Sequence, residues 1–149
     1  MRIVVQRVDW AKLYIENSLF CQINKGILAL VGIRQSDDEK IINWMINKII
    51  NLRLFNDLDG KMNLSTNDIK GDIMLVSNFT LYGDTRKGFR PSYTNAASSE
   101  IAENLYNKFV NGFINQYPGI KIVSGIFGAM MNIEMVNNGP VTILIEKDN

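Results

Sequence analysis

The spacing of apolar residues in the first part of the chain is typical of strands. Apolar and polar residues largely alternate in "MRIVVQRV", which indicates a strand buried mainly on one face. After a turn at "DWAK", the segments "LYIEN" and "LFCQI" predict a pair of short strands. The continuous apolar run "GILALVGI", residues 26–33, predicts a strand in the middle of a sheet. We therefore expect the first part of the chain to form a sheet.

Two later segments repeat apolar residues every three or four positions, as amphipathic helices do. The first follows Ser36, which precedes Glu39 by three residues in a capping-box pattern, and we expect the helix to begin there. The second begins at Ser98 or Ser99 and ends at Pro118-Gly119. The positions predicted to be buried are Ile42, Met45, Ile46, Ile49, Ile50, Ile101, Leu105, Phe109 and Phe113.

The rest of the chain predicts a hairpin and four further strands. Asp59-Gly60 is a hairpin-turn dipeptide, and we interpret Asp57-x-Asp59 as part of this turn because the other positions of a calcium loop do not follow. "GDIMLVSNFTLYGD" predicts one long strand, as does "IKIVSGIF". "AMMNIEMV" and "VTILIEK" predict two more, joined by a turn at "NNGP".

These elements define the expected fold class. Seven to eight strands with two long helices indicate a mixed α/β protein, in which largely antiparallel sheets are layered with the helices. No linker or repeat interrupts the pattern, so we expect residues 1–149 to form a single domain.

Composition restricts the chemistry available to this domain. Sixteen Lys and Arg against fifteen Asp and Glu leave a net charge of +1, so any contact with nucleic acid must be local. The chain has no histidine, which excludes Ser-His-Asp and Cys-His relays. Its one cysteine, Cys21, rules out an internal disulfide and suits a reducing cytoplasm. No apolar run approaches the ~20 residues that span a bilayer, so we expect a soluble, cytoplasmic protein with no membrane partner.

Polar residues interrupt the predicted strand "VSNFTLYGD". In a strand, Asn78 and Thr80 share one face while Ser77 and Phe79 share the other, so a cleft above one face would present an amide and a hydroxyl together. A structural explanation stays open, because threonine suits strands and serine can bind a neighbouring backbone group.

A short cationic loop, "TRKGFRP", follows. Arg86, Lys87 and Arg90 surround Phe89, and this arrangement suits a nucleic-acid end because cations bind phosphate while an aromatic face stacks on a base. A solvated surface loop is the commoner explanation of such a charge cluster.

Both polar segments belong to longer stretches that resemble one family. "SNFTLYGDTRKGFRPSY" and "GIFGAMMNIEMVNNGPVT" resemble the two signature regions of the D-aminoacyl-tRNA deacylases, Ser-Gln-x-x-Thr and Asn-x-Pro-Val-Thr. "MRIVVQRV", "GILALVGI" and "LRLFNDLDGKMN" resemble further segments of that family in the same order, so the resemblance covers essentially the whole chain. Asn78 stands where the family usually has glutamine, and Asn138 where many members have aspartate.

The resemblance implies a homodimer that hydrolyses the ester between a D-amino acid and the 3′-terminal adenosine of tRNA, including glycyl-tRNA mischarged on tRNA(Ala). It implies no cofactor, and we expect no metal. An aminoacyl ester is already activated, so stabilising an oxyanion matters more than a strong base. The residues assigned to catalysis are Ser77, Asn78, Phe79 and Thr80, with the backbone N–H groups of Phe79 and Thr80 as oxyanion donors.

The family also has a chiral filter, a Gly-cisPro element that one subunit inserts into the active site of the other. The positions of this chain that match it are Asn138, Gly139, Pro140, Val141 and Thr142. An X-Pro bond is one where a cis peptide costs little, although an ordinary tight turn is the commoner explanation of a Gly-Pro step. The residues expected to contact the acceptor end of tRNA are Arg86, Lys87, Phe89 and Arg90.

Two other functions remain open. A non-catalytic module that binds RNA ends could use the same loop and cleft, and it would protect the ester instead of cleaving it. An editing domain of the kind attached to some threonyl-tRNA synthetases shares this fold, but the intact "NNGPVT" disfavours that assignment.

Overall fold

A computed structural model describes residues 1–148, in which a six-stranded sheet packs against two long helices. The elements in chain order are β1 (Arg2–Ile15), β2 (Ser18–Ile23), β3 (Gly26–Gly32), α1 (Glu39–Asn51), β4 (Arg53–Asn56), β5 (Met62–Ser65), α2 (Thr66–Ile69), β6 (Asp72–Ser77), a 3-10 helix (Phe79–Tyr82), α3 (Ser99–Gln116), β7 (Ile122–Ser124) and β8 (Asn132–Glu146). The expected mixed α/β class is confirmed. The short helix α2 is not predicted by the periodicity of the sequence.

β1 organises the sheet because it pairs with three other strands. Along one edge its first half pairs with β3 and its second half with β2, and along the other edge it pairs with β8, all in antiparallel orientation. β6 and β7 extend the sheet in parallel beyond β3, and β4 and β5 form a separate hairpin. The sheet is largely antiparallel, as predicted. The turn predicted at "DWAK" is wrong, because residues 9–12 remain within β1, where Trp10, Ala11 and Lys12 pair with β8.

The core has two layers, one on each face of the sheet. On one face, Ile27 and Val31 of β3 and Ile73 of β6 pack against the buried residues of α1 and α3. On the other face, Leu28 and Met74 pack in a smaller cluster with the second half of β1. β3 and β6 are buried on both faces, which explains their continuous apolar runs.

The predicted helix faces are confirmed, with a correction at the start of α1. All the predicted positions are buried except Ile101, which is partly buried against the core. α1 begins at Glu39, and its N-cap is Asp38 in place of the expected Ser36: the Asp38 carboxylate accepts the Ile41 N–H at 3.0 Å. None of the helices among residues 1–148 is long and apolar enough to cross a bilayer.

The β4–β5 hairpin forms at Asp57–Gly60, as predicted. The Asp57 carboxylate accepts hydrogen bonds from the backbone of Asp59 and Lys61 and from the Asn63 amide. These bonds, that of Asn63 foremost, lower the pKa of Asp57. The carboxylate therefore holds its own turn together. Across residues 1–148, no three His, Cys, Asp or Glu side chains are grouped so as to hold a metal ion.

Two predicted strands differ from the structure where the candidate site lies. β6 ends at Ser77, and a 3-10 helix follows where the strand was expected to continue. β8 is one strand, so "NNGP" is no turn between two. Thr142 lies opposite Gln6 and Asn137 lies opposite Val8, which leaves residues 138–141 as a bulge within β8. We call these four residues the Gly-Pro bulge.

Candidate active site

A cleft of about 540 Å³ opens where β6 ends. Ser77, Asn78 and Phe79 line one part of it, and the start of α3 and the segment between β7 and β8 line the rest. The other lining residues are Val31, Ile33, Tyr93, Ala96, Ala97, Ser99, Ala102, Phe127, Gly128, Ala129, Met130 and Met131. The cleft is therefore apolar over most of its wall, with Ser77 and Asn78 as polar side chains at the end of β6 and Ser99 at the start of α3.

The parallel pairing of β3 and β6 fixes the position of these polar residues. Val31 is the partner of Ser77, and the carbonyl of Val31 accepts the Asn78 N–H at 2.7 Å. Gly32 then lets the 3-10 helix pass closely over β3, since a Cβ there would lie 3.1 Å from Leu81 Cβ and 3.3 Å from the Asn78 carbonyl. The hydrogen bond from the Asn78 N–H to the Val31 carbonyl is the last one between β6 and β3, and β6 ends beside it.

Asn78 and Thr80 meet through a turn, which corrects the expectation that they share a strand face. The Oδ1 atom of Asn78 accepts the Thr80 N–H at 3.1 Å and also accepts the Thr80 hydroxyl. Asn78 is thereby the N-cap of the 3-10 helix. Thr80 is exposed, but it does not line the cleft.

Phe79 lines the cleft and is exposed at its surface. The ring is 59% exposed and packs edge-to-face against Tyr93, with the ring centres 5.0 Å apart. Among residues 1–148, no group accepts a hydrogen bond from the Phe79 N–H. This backbone donor is therefore available to a ligand.

Cationic side chains support the 3-10 helix from its far end. Arg2 donates to the Leu81 carbonyl at 2.7 Å, and the guanidinium groups of Arg2 and Arg34 lie over the Tyr82 ring, 4.9 and 5.3 Å from its centre. Burial, followed by the nearby Asp37 charge, raises the pKa of Tyr82 to about 12. The phenol stays neutral and the helix is held at both ends.

The basic loop carries less free charge than its sequence indicates. Arg86 binds the Asp84 carboxylate in a two-point contact, with Nη2–Oδ2 at 2.6 Å and Nε–Oδ1 at 2.9 Å, and this bonding lowers the pKa of Asp84 to about 2. In the described part of the chain, neither Lys87 nor Arg90 forms an ion pair. Phe89 is fully exposed between them.

The Gly-Pro bulge is exposed but tightly tethered. Arg7 donates from Nε to the Asn138 carbonyl at 3.0 Å and from Nη1 to the Leu54 carbonyl at 2.6 Å. The Asn138 amide donates to Asp9 at 2.7 Å. The peptide bond between Gly139 and Pro140 is cis.

Further hydrogen bonds fix the C-terminal side of the bulge. Val141 N–H donates to Asn137 Oδ1 at 2.9 Å, and the Asn137 amide donates to the Thr142 hydroxyl at 3.1 Å. No residue of the segment 138–142 lines the cleft of its own chain. The structure therefore brings Ser77, Asn78 and Phe79 together and leaves the Gly-Pro bulge apart from them.

Most of the cleft wall consists of residues that the sequence alone does not mark as functional. Tyr93, Phe127, Met130 and Met131 line the cleft, yet none was assigned to the site. Tyr93 ends "SNFTLYGDTRKGFRPSY", and the other three lie within "GIFGAMMNIEMV", so all four belong to the stretches that resemble the signature regions of the family. Apolar side chains carry no chemical signal of their own, so only their place in those stretches could have identified them.

Comparison with known proteins identifies the family. Residues 4–146 match the family model described as D-Tyr-tRNA(Tyr) deacylase. A D-aminoacyl-tRNA deacylase from Thermosipho melanesiensis is 49% identical over 98% of this chain and 97% of its own length. Another from Flavobacterium psychrophilum is 48% identical over 100% and 99%.

Two solved structures share the fold of this chain. The c-Myc DNA Unwinding Element Binding Protein superposes with a TM-score of 0.94 at 38% identity, covering all of both chains. A probable eukaryotic D-amino acid tRNA deacylase superposes with a TM-score of 0.83 over 97% of each chain, and at 15% identity this likeness shows the fold alone. By its full-length similarity in sequence, the chain belongs to the D-Tyr-tRNA(Tyr) deacylase family.

Proposed function

We propose that this chain hydrolyses the ester of D-aminoacyl-tRNA in the cytoplasm, with residues 1–149 as one deacylase domain. The observation that carries the proposal is the full-length match to deacylases at 47–49% identity. The site is consistent with it, because a free backbone donor lies beside the polar end of an apolar cleft. The products are the free D-amino acid and tRNA with its 3′ hydroxyl restored.

The hydrogen bonds of Thr80 favour a water nucleophile. Its hydroxyl donates to an amide oxygen, which cannot act as a base, so nothing at this site activates it for attack. Its N–H is also occupied by Asn78, so the structure supports only the Phe79 N–H of the two expected oxyanion donors. Water attacks the carbonyl carbon, and the negative oxygen that forms binds to the Phe79 N–H.

The cleft suits the terminal adenosine of tRNA. Its volume of about 540 Å³ lies in the range of small-molecule sites. Phe79 and Tyr93 offer aromatic surface to a nucleobase. Lys87, Phe89 and Arg90 lie on the exposed loop between these two aromatic residues in sequence, where they can contact the nucleotides that precede the adenosine.

We further propose that the protein is a homodimer in which the Gly-Pro bulge of each chain enters the cleft of the other. The bulge is tethered and exposed, yet it does not reach its own cleft. Within residues 1–148, β8 pairs only with β1, and its exposed side chains include Val136, Ile143 and Leu144. A long unpaired edge that exposes apolar residues is typical of a surface covered by another chain.

Such an arrangement would select for handedness by exclusion. Backbone oxygens of the bulge would accept hydrogen bonds from the α-ammonium of the substrate, and an L side chain would then collide with the backbone. A D side chain points away, so many D-amino acids would be accepted. Glycine has no side chain to exclude, and we propose that glycyl-tRNA mischarged on tRNA(Ala) is also cleaved.

A single-turnover assay on D- and L-tyrosyl-tRNA tests the function. We expect the D-ester to be cleaved and the L-ester to remain at its spontaneous rate. A binding module would lengthen the lifetime of both esters, which would refute the proposed hydrolysis. Equal cleavage of both enantiomers would support the hydrolase activity but refute the proposed chiral filter.

Gly139→Ala should impair the filter. Gly139 has φ +130°, and an added Cβ would lie 2.9 Å from Arg7 Nη2 and 3.0 Å from the Val141 backbone nitrogen. Such strain costs about 1–3 kcal/mol, and we expect the ratio of D to L cleavage rates to fall by about tenfold or more. Gly119→Ala is the matched control, because a Cβ there meets nothing within 4 Å. Unchanged selectivity in Gly139→Ala would contradict the proposed role of the bulge.

Leu144→Glu should weaken the dimer and its activity together. Leu144 is 59% exposed on β8, and a carboxylate there would have to be desolvated at the interface. We expect dissociation in sedimentation velocity at micromolar protein, with a parallel loss of D-tyrosyl-tRNA cleavage. Leu58→Glu, at the fully exposed tip of the β4–β5 hairpin, should stay dimeric and active. A wild-type protein that sediments as an active monomer would refute the shared site.

Asp84→Asn should strengthen tRNA binding by releasing Arg86. The change removes the carboxylate that neutralises this guanidinium, so one more phosphate contact becomes possible. We expect tighter binding of uncharged tRNA and a log–log salt slope steeper by about 0.7. Asp59→Asn adds the same charge in the β4–β5 turn and should leave the slope unchanged. The same slope for wild type and Asp84→Asn would exclude Arg86 from the interface.

A further inference from the structure

The exposed face of α1 carries no carboxylate after the first residue of the helix, Glu39. The exposed residues beyond it are Lys40, Asn43, Trp44, Asn47, Lys48 and Asn51. The helix dipole favours a cation in the last turn, such as Lys48, but disfavours one in the first turn, where Lys40 lies. The stability of the helix therefore does not explain the whole pattern.

Trp44 brings a third lysine to this face. Its ring is 39% exposed, and the Nζ atoms of Lys48 and Lys147 lie 6.0 and 5.7 Å from the ring centre. Lys40 precedes Trp44 by one helical turn and lies on the same side of α1. The ring attracts each ammonium group, but the two groups repel each other. An anion bound to both would remove that repulsion. We call Lys40, Lys48 and Lys147 the lysine face.

No carboxylate of the described chain neutralises the lysine face. The carboxylates next to Lys40 and Lys147 in sequence are bound by other cations, in the ion pairs Glu39–Lys108, Glu146–Arg2 and Asp148–Arg34, with N–O distances of 2.5, 2.7 and 2.6 Å. Within residues 1–148, none of the three lysines forms an ion pair. Their charges are therefore available to a partner.

The pairing register places Lys147 at the edge of the sheet where the cleft opens. Arg2 pairs with Glu146 of β8 and with Gly32 of β3. Ser77, the last residue of β6, pairs with the residue before Gly32. The ends of β8, β3 and β6 and the start of β1 therefore form one row, in the order β8, β1, β3, β6. Neighbouring strands are about 4.8 Å apart, so Lys147 follows β8 about 15 Å from the end of β6.

We propose that the lysine face binds the phosphate backbone of the tRNA acceptor stem while the 3′ end of the same tRNA occupies the cleft. The proposal rests on the proposed deacylase function. Three ammonium groups without counter-charges match a polyanion, whereas an apolar partner would have to desolvate them. One strand of a duplex advances about 3.4 Å per nucleotide, so about 15 Å corresponds to roughly four nucleotides. The lysine face therefore lies where the unpaired 3′ end gives way to base pairs.

The lysine face would position the tRNA without reading its sequence. Phosphate contacts fix the register and orientation of a nucleic acid but carry no sequence information. A deacylase that meets many tRNA species needs such a contact, because the stem sequence differs among them. A contact of this kind also explains how a chain with a net charge of +1 can hold a polyanion locally.

Lys48→Gln and Lys147→Gln, separately and together, test the lysine face. Both side chains are exposed and glutamine removes only the charge, so the melting temperature should stay close to that of the wild type. Binding of labelled, uncharged tRNA is measured by fluorescence anisotropy at several salt concentrations. We expect the log–log salt slope to become shallower by about 0.9 for each charge removed, and by about 1.8 in the double variant.

Two controls separate the lysine face from the cleft and from a general effect of charge. A single-stranded RNA tetranucleotide ending in CCA lacks the stem, so the variants should bind it as the wild type does. Lys121→Gln removes an exposed lysine just before β7, at the opposite edge of the sheet. This control should keep the wild-type salt slope with tRNA.

A wild-type salt slope in the double variant would refute the RNA contact and favour an acidic protein partner for this face. The proposal would also be overturned by an equal change in slope with the tetranucleotide or in Lys121→Gln, or by a wild-type protein that does not bind tRNA. A wild-type protein that binds tRNA but leaves D-tyrosyl-tRNA intact would instead refute the deacylase function. Because binding is measured with uncharged tRNA, the two failures are distinguishable.

Discussion

The hydrogen bond from the Asn78 N–H to the Val31 carbonyl, 2.7 Å long, is the contact on which the candidate site depends. It is the last bond between the parallel strands β3 and β6, and the chain beyond it turns into the 3-10 helix. Both strands are buried on either face, so their ends are fixed by the core of the molecule. The Phe79 N–H, which is placed directly after these strands, inherits that rigidity, and this favours its proposed role as an oxyanion donor because donors that must reorganise contribute less.

A chain without histidine has few side chains that can act as a general base at neutral pH, and the structure leaves fewer still. Tyr82 is buried and its pKa is raised to about 12, so it stays neutral, while Asp84 is held by Arg86 and cannot serve as a free base. Thr80 donates its hydroxyl proton to an amide. The cleft offers polar backbone and amide groups at fixed positions in an otherwise apolar wall. Such groups suit a substrate whose ester bond is already activated.

Much of the fold could be predicted from the sequence, because periodicity reports burial and burial fixes helix faces such as Ile42 to Ile50. The errors occurred where a tertiary contact overrides a local pattern. The polar residues Asn78 and Thr80 fit a strand locally, but the pairing of β6 with β3 stops at the bond from Asn78 to Val31 and a 3-10 helix follows. Likewise "NNGP" has the composition of a turn, yet the pairing of both halves of β8 with β1 makes it a bulge. The sequence places three cations in the basic loop, but composition alone could not show that Asp84 neutralises one of them.

The two parts of the candidate site are rigid for different reasons, and this bears on how they would work together. The cleft owes its shape to the ends of core strands, whereas the Gly-Pro bulge is exposed and depends on polar tethers, foremost the two carbonyls that Arg7 binds at 3.0 and 2.6 Å. If the bulge enters another chain, as proposed, it cannot be buried in its own chain. It is therefore fixed by hydrogen bonds instead of by packing. Arg7 suits this task because its guanidinium stays charged and its donors form a planar fork, so one side chain can hold two carbonyls in a set geometry. If the bulge distinguishes D from L substrates with its backbone oxygens, as proposed, it needs a fixed backbone geometry more than any particular side chain. Its central residues, glycine and proline, are consistent with that requirement.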